Sequence, residues 1–309
     1  MIALRCPASG HCVLRAAAAA GRGGRGYNEE AMDLFEEIVR QRRAGRKSAL
    51  ATIVKVNGSI PSYPGAKMLV REDGSIAGTI GGGCVEAEVW QAAREAMETG
   101  KPRLLSFSLA EDAAYDNGLI CGGQLEIYIE PLEPQPRALI FGAGHISRSL
   151  SRICALLGFS VTVIDDRESY ANRERFPEAD EIIAGNYEDI FPKLDIHSNC
   201  YLIIVTRGHR DDMRVLRWAV TAGAGYVAMI GSRRKVISVV KELQKEGLAP
   251  ALFDRVHAPM GLDIGAVTPE EIAVSVAAEM IAVRRKAGSN WRALSMSVLG
   301  AGSGVAASK

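Results

Sequence analysis

Residues 138–166, ALIFGAGHISRSLSRICALLGFSVTVIDD, constrain this chain more than any other stretch. A short apolar run leads into a glycine-paired turn, a helical pattern and a second apolar run ending in two aspartates. That order predicts a strand, a tight turn, a helix and a second strand. Gly142 and Gly144 hold the first two positions of a dinucleotide fingerprint. There one glycine permits the turn and the next lets backbone approach a pyrophosphate. Ser147 stands where a third glycine would complete it. Ile146, Leu150, Ile153, Cys154 and Leu157 recur at helical spacing, so they predict a stripe turned to a sheet, ended by Gly158. Cys154 is thereby read as core. Asp165 closes the second strand 21 residues after Gly144, about where an acid would meet a ribose hydroxyl.

Helix and strand continue to alternate. Apolar runs at 181–184, 201–206 and 226–230 interleave with helical patterns at 211–221 and 232–246. The pattern predicts a Rossmann-like, doubly wound parallel sheet over residues 137–287. Such sheets bind ligands beyond the carboxyl ends of their strands. This places Gly142, Gly144, His145, Asp165, Thr206, His209, Gly231 and Ser232 as candidate cofactor-binding residues. Asp211 and Ser232 equally suit helix caps, and 233–235 a solvated turn. In the block 259–286, Thr268 reads as a cap with Pro269, Glu270 and Glu271 in the first turn. Glu271, Ser275 and Glu279 share one helix face, which suits a solvated polar face as readily as paired carboxylates.

A chain of 309 residues exceeds the usual single core, so a second, smaller α+β domain is expected over 28–131. Its first helix carries Met32, Phe35, Ile38 and Val39 as an apolar stripe. A strand over 50–56 and a hairpin over 67–79 follow. GTIGGGCVEAE (78–88) then opens a helix whose buried face is predicted as Val85, Val89, Ala92, Ala93, Ala96 and Met97. Gly81, Gly82 and Gly83 leave amides bare enough to cradle an anion, and Cys84 sits at a helix start, which favours thiolate. A close-packed turn with an inert cysteine is the competing reading. Strands over 103–108 and 124–130 flank Cys121, a second cysteine beside glycines. Both glycine–cysteine turns are expected to share a cleft with the carboxyl edge of the parallel sheet. A proline-rich linker over 132–136 separates the domains. Residues 1–27, a disordered extension or an over-long start, and the Ser/Ala/Gly-rich tail 288–309 are expected to be disordered.

With 37 basic and 36 acidic side chains, the chain has no field to gather nucleic acid. It contains no run of about 18 apolar residues that would span a bilayer. Cys6, Cys12, Cys84, Cys121, Cys154 and Cys200 lack paired spacing, which suits a reducing cytosol. The 37 residues between Cys84 and Cys121 match no zinc-site spacing.

Across residues 28–286 the chain resembles the xanthine dehydrogenase accessory family, XdhC/CoxI. The resemblance is carried by 58–70 (GSIPSYPGAKMLV), 78–88, 121–123, 142–145, 206–211 (TRGHRD), 230–235 and 259–279. It implies a cytoplasmic chaperone that binds molybdenum cofactor, as molybdopterin or its dinucleotide form, supports its sulfuration and inserts it into a xanthine dehydrogenase-type molybdenum hydroxylase. A cysteine desulfurase and a second copy of the chain are the further partners implied, and no catalytic residue is. Cys84 and Cys121 would be the soft molybdenum ligands. The glycine turn and Asp165 leave an NAD(P)-dependent oxidoreductase as the alternative, and a purely structural adaptor as a third reading.

Overall fold

A computed structural model of the chain describes residues 33–58, 60, 62–108 and 123–299. Its strands form two sheets. The first comprises β1 (Ser48–Asn57), β2 (Lys67–Arg71), β3 (Ile76–Gly78), β4 (Arg103–Ser108) and β5 (Gln124–Leu132), antiparallel in the order β3-β2-β1-β5-β4. Alternation sets its buried side: Ala49, Ala51 and Ile53 of β1 pack with Ile127 and Ile129 of β5. Helix α2 (Gly83–Thr99) lies on that side and buries Val85, Val89, Ala92, Ala93, Ala96 and Met97, the six residues expected from its pattern. Gly100, at φ 67, ends it by donating its N–H to Ala96 O.

Helix α1 (Leu34–Arg43) corrects the sequence reading. Glu37 and Gln41 are its buried residues, whereas Phe35 and Val39 are 58% and 45% exposed. The helix docks through charge: Arg71 Nε lies 2.6 Å and Arg40 Nη2 2.5 Å from the Glu37 carboxylate, and Gln41 Nε2 donates to it at 2.8 Å. Burial raises the Glu37 pKa, but these donors outweigh it and hold the carboxyl at about 2. Apolar periodicity is silent about a stripe held by an ion pair. Met32 lies outside the described residues.

The second sheet is parallel throughout, in the order β11-β10-β9-β6-β7-β8. Its strands are β6 (Arg137–Phe141), β7 (Ser160–Asp165), β8 (Glu181–Ala184), β9 (Cys200–Ile204), β10 (Tyr226–Met229) and β11 (Val256–His257). The apolar runs are continuous because both faces are covered. Ala138 and Ile140 pack with α3 (His145–Leu156) and α7 (Pro269–Arg284). Leu139 and Phe141 pack with α5 (His209–Ala219) and α6 (Arg233–Lys245), and Tyr187 and Ile190 of the short α4 (Tyr187–Ile190) join them. This is the α/β, Rossmann-type architecture expected, with β11 and α4 added. The chain leaves β6 towards β7 on one side and resumes at β9 on the other, so the switch point lies between β6 and β9.

Two expectations for the end of the chain fail. The tail does not become featureless at residue 288: a 3-10 turn (Ser289–Leu294) leads into a strap. There Met296 N donates to Gly261 O and Val298 N to Ala258 O. Nor is Glu279 a surface group. It is fully buried and accepts from Tyr226 Oη (2.7 Å), Gly261 N (3.0 Å) and Ser295 Oγ (3.0 Å), with His257 Nδ1 at 3.4 Å. Burial works against its ionisation, yet His257 and the other donors hold the carboxyl below the usual range. The serines that look like low complexity satisfy this buried carboxylate and the backbone of β11. Glu271, two helical turns before it, completes a capping box with Thr268.

Candidate functional site

At the switch point Gly142 has φ 112, and a methyl group there would lie 2.3 Å from Val205 O, so only glycine lets β6 turn so close to the end of β9. The turn is fastened to β7 by Asp165. Its Oδ2 accepts from Ala143 N (2.7 Å) and Arg167 Nη2 (2.9 Å), and its Oδ1 accepts from Arg167 N (3.0 Å) and Nε (2.8 Å). An ionised carboxylate offers about four lone-pair sites, and all four are taken. Burial raises the Asp165 pKa, but the Arg167 guanidinium and the two amides outweigh it and keep the carboxyl below its usual range. Asp165 is 1% exposed and has no acceptor site left for a ribose hydroxyl, so the sequence-based expectation for it is replaced by a structural one. Arg175 completes the clamp by donating from Nη2 to Ala143 O at 3.2 Å, and Arg167 and Arg175 both lie against the Tyr170 ring.

Gly144 begins α3 with no side-chain cap, and Gly208 begins α5 in the same way. A side chain at either glycine would meet nothing within 4 Å. Two uncapped helix starts, each with free N–H groups and the positive end of its dipole, therefore open at the switch point. His145 and His209 head these helices and are exposed. Thr206 serves the frame instead: its Oγ1 donates to Asp212 Oδ1 at 2.6 Å, and Asp212 is buried against Lys235 Nζ. Burial dominates at Asp212 and raises its pKa despite those partners. Ser232 caps α6 by accepting from Lys235 N (3.3 Å), and Gly231 packs on the Lys235 stem. Of the residues named along this edge, Gly144 and His145 with Gly208 and His209 line open space, whereas Asp165, Thr206, Gly231 and Ser232 hold the scaffold.

Asp166 and Arg207 lie in the strand-end segments 165–167 and 206–212 but are not among the candidate binding residues. Arg207 Nη2 contacts Asp166 Oδ2 at 2.8 Å, linking the end of β7 to the loop after β9. The TRGHRD block contained the signal, since it puts a cation in the loop that follows a strand end.

In the smaller sheet, Gly81, Gly82 and Gly83 all have positive φ (124, 82 and 69), as a run of three glycines permits. The anion that their turn meets belongs to the chain: Glu86 Oε1 accepts from Thr79 Oγ1 (2.5 Å) and Ile80 N (3.1 Å), with the Gly81 and Gly82 amides contributing. Burial raises the Glu86 pKa, and these donors lower it further than burial raises it. Cys84, the second residue of α2, is a free, exposed thiol. Cys154 is buried core, its thiol pushed up to about 12 by burial. Cys121 lies outside the described residues, in the segment that joins β4 to β5.

Helix α2, 17 residues and about 25 Å long, separates Cys84 from the end that meets the linker, where Lys47 Nζ donates to Met97 O (3.4 Å). The two sheets are tied together there: Arg42 Nε donates to Glu133 O (3.2 Å), Gln135 N to Arg42 O (3.0 Å), and the His197 ring packs on Gly45. His197 precedes β9, so these ties lie at the amino edge of the parallel sheet. Among the described residues, no hydrogen bond or ion pair joins the Gly81–Cys84 turn to His145 or His209, and Cys121, the other cysteine of the shared cleft expected, lies outside them. Among them, too, no cluster of three His, Cys, Asp or Glu side chains is set to hold a metal ion. No helix among them is long and apolar enough to cross a membrane.

Residues 138–280 match the family profile of the XdhC Rossmann domain, and residues 41–108 that of the XdhC and CoxI family. YqeB, an uncharacterized protein of Escherichia coli, is 36% identical over 257 residues, covering 83% of this chain and 47% of YqeB. The chain thus spans about half the length of that relative. A Bacillus subtilis protein named as a probable xanthine dehydrogenase subunit is 25% identical over 317 residues, covering 78% of this chain and 94% of the relative. The Escherichia coli molybdenum cofactor insertion chaperone PaoD is 26% identical over 270 residues, covering 78% of this chain and 85% of PaoD. With one profile on each of its two sheets, the chain belongs to the XdhC and CoxI family.

Proposed function

We propose that this chain is an accessory protein that binds molybdenum cofactor and inserts it into a xanthine dehydrogenase-type molybdenum hydroxylase. The observation that carries the reading is its kinship with a relative named as a molybdenum cofactor insertion chaperone, over most of both chains. The cofactor is cargo, a phosphate-bearing pterin whose dithiolene holds molybdenum. The switch-point crevice suits its phosphate, because helix starts at Gly144 and Gly208 present bare amides beside open space. Cys84 supplies an exposed soft donor for the metal or for sulfur awaiting transfer. We include in the proposal support of sulfuration, a cysteine desulfurase as sulfur source, binding of the dinucleotide form, and a homodimer.

A nicotinamide-dependent oxidoreductase is the weaker reading, because Asp165 engages all its acceptor sites inside the protein. The test is to purify wild type, Cys84→Ser and Cys121→Ser together with a molybdenum hydroxylase client, then measure molybdenum per chain and client activity. Wild type should carry molybdenum and activate the client, and Cys84→Ser should lose much of both while remaining folded. Equal loading and activation by all three proteins would remove the thiolate from the mechanism. A wild type that leaves the client inactive would refute the insertion role.

A further inference from the structure

We propose that Arg207 is the phosphate-holding side chain of the switch-point crevice, and that Asp166 occupies its guanidinium as an internal stand-in that a ligand phosphate displaces. The inference rests on the reading that a phosphate-bearing cofactor binds at this edge, and it adds the side chain that selects it. Strands β7 and β9 flank β6. Asp166 directly follows β7, and Arg207 lies three residues beyond β9. Their 2.8 Å ion pair therefore reaches across the end of β6, where the Gly142–Gly144 turn and the start of α5 open. Two strand spacings amount to about 10 Å, a gap that a long arginine side chain can bridge.

The adjacent aspartates are built for different work. Asp165 is buried and makes four hydrogen bonds, so it cannot leave. Asp166 has one close partner in Arg207 and a second, Arg167 Nε, at 3.6 Å. The Asp166 and Arg207 side chains are 34% and 54% exposed. Exposed pairs of this kind are weak, and a phosphate group carries more charge and matches the planar guanidinium with two oxygens. Asp211, 3.8 Å from Arg207 Nε, would remain beside the guanidinium after the exchange. The ligand class follows: a molecule recognised by its phosphate or pyrophosphate, with no ribose diol read by the β7 acid.

The full-length protein and inorganic pyrophosphate test this by titration calorimetry, with thermal unfolding to establish that each variant is folded. Asp166→Asn removes the competing carboxylate and should bind pyrophosphate roughly tenfold tighter than wild type. Arg207→Gln should weaken binding by about tenfold or more, and adding Asp166→Asn to it should restore nothing. The proposal is overturned if Asp166→Asn binds no tighter, if Arg207→Gln binds as well as wild type, or if no form binds pyrophosphate. Molybdenum loading of wild type is scored separately. Retained loading with these titrations negative would sink only the stand-in, whereas positive titrations with no loading would sink only the chaperone reading.

Discussion

The two glycines of the turn should respond very unequally to the same substitution, because the space around them differs. In Gly142→Ala the new methyl group would lie 2.3 Å from Val205 O, 2.7 Å from Val205 C and 2.9 Å from Thr206 Cα, all backbone atoms of the adjoining strand end. The φ of 112 adds conformational strain of about 1–3 kcal/mol for a residue with a Cβ, and forced overpacking of a tight interior costs about 1–3 kcal/mol more. Gly142→Ala should therefore destabilise the protein by roughly 2–6 kcal/mol, a large share of the stability of an ordinary domain. Gly144 has φ −78, and a methyl group added there would meet nothing within 4 Å. Gly144→Ala loses some preference at a helix cap and gains from a stiffer unfolded chain, so its net effect should stay within about 1 kcal/mol. Denaturant unfolding of both variants, followed by circular dichroism, measures the contrast. Equal midpoints would refute the close approach of β6 and β9 on which the crevice depends.

Three further outcomes follow from buried polar groups. Ser147 occupies the third fingerprint position, buried with no hydrogen-bond partner for Oγ, so Ser147→Ala should raise stability by about 1 kcal/mol in the same assay. Glu37 has a folded pKa of about 2 against an ordinary 4.5, so its contribution is complete above pH 4.5 and is lost as pH falls towards 2. Stability should drop by roughly 3 kcal/mol through that window, and Glu37→Gln should flatten this part of the pH–stability curve. Tyr226→Phe removes the 2.7 Å donor to buried Glu279 and should cost about 1–3 kcal/mol, seen as a lower unfolding midpoint with the secondary structure retained.

Most strands and helices of the parallel sheet were legible as continuous apolar runs alternating with helical periods, whereas β11 and α4, two and four residues long, are too short to show either. The burial of α2 followed residue by residue from its spacing. Interactions that carry no period were not legible. Apolar spacing in α1 pointed Phe35 and Val39 inwards, whereas the carboxylate of Glu37 and its partner Arg71 decided which face docks. Glu279 looked like a solvent-facing group because its donors come from β10, the Gly261 loop and the strap, each remote in sequence. Asp165 was correctly placed at the strand end, but its role depended on Arg167 and on the Ala143 amide, which spacing does not weigh. The ties between the two sheets, from Arg42 to the linker and from His197 to Gly45, are a property of packing that motif content does not contain.

The most direct measurement of the account is the molybdenum and pterin content of wild type and Gly144→Val, each purified from a molybdenum-replete host. The valine enters open space and should leave the fold intact while blocking backbone approach at the start of α3. Wild type is expected to retain cofactor and Gly144→Val to retain little, with both unfolding at similar temperatures. Equal retention by the two proteins would contradict a carboxyl-edge site, and absence of cofactor from both would contradict the role of the chain as a cofactor carrier.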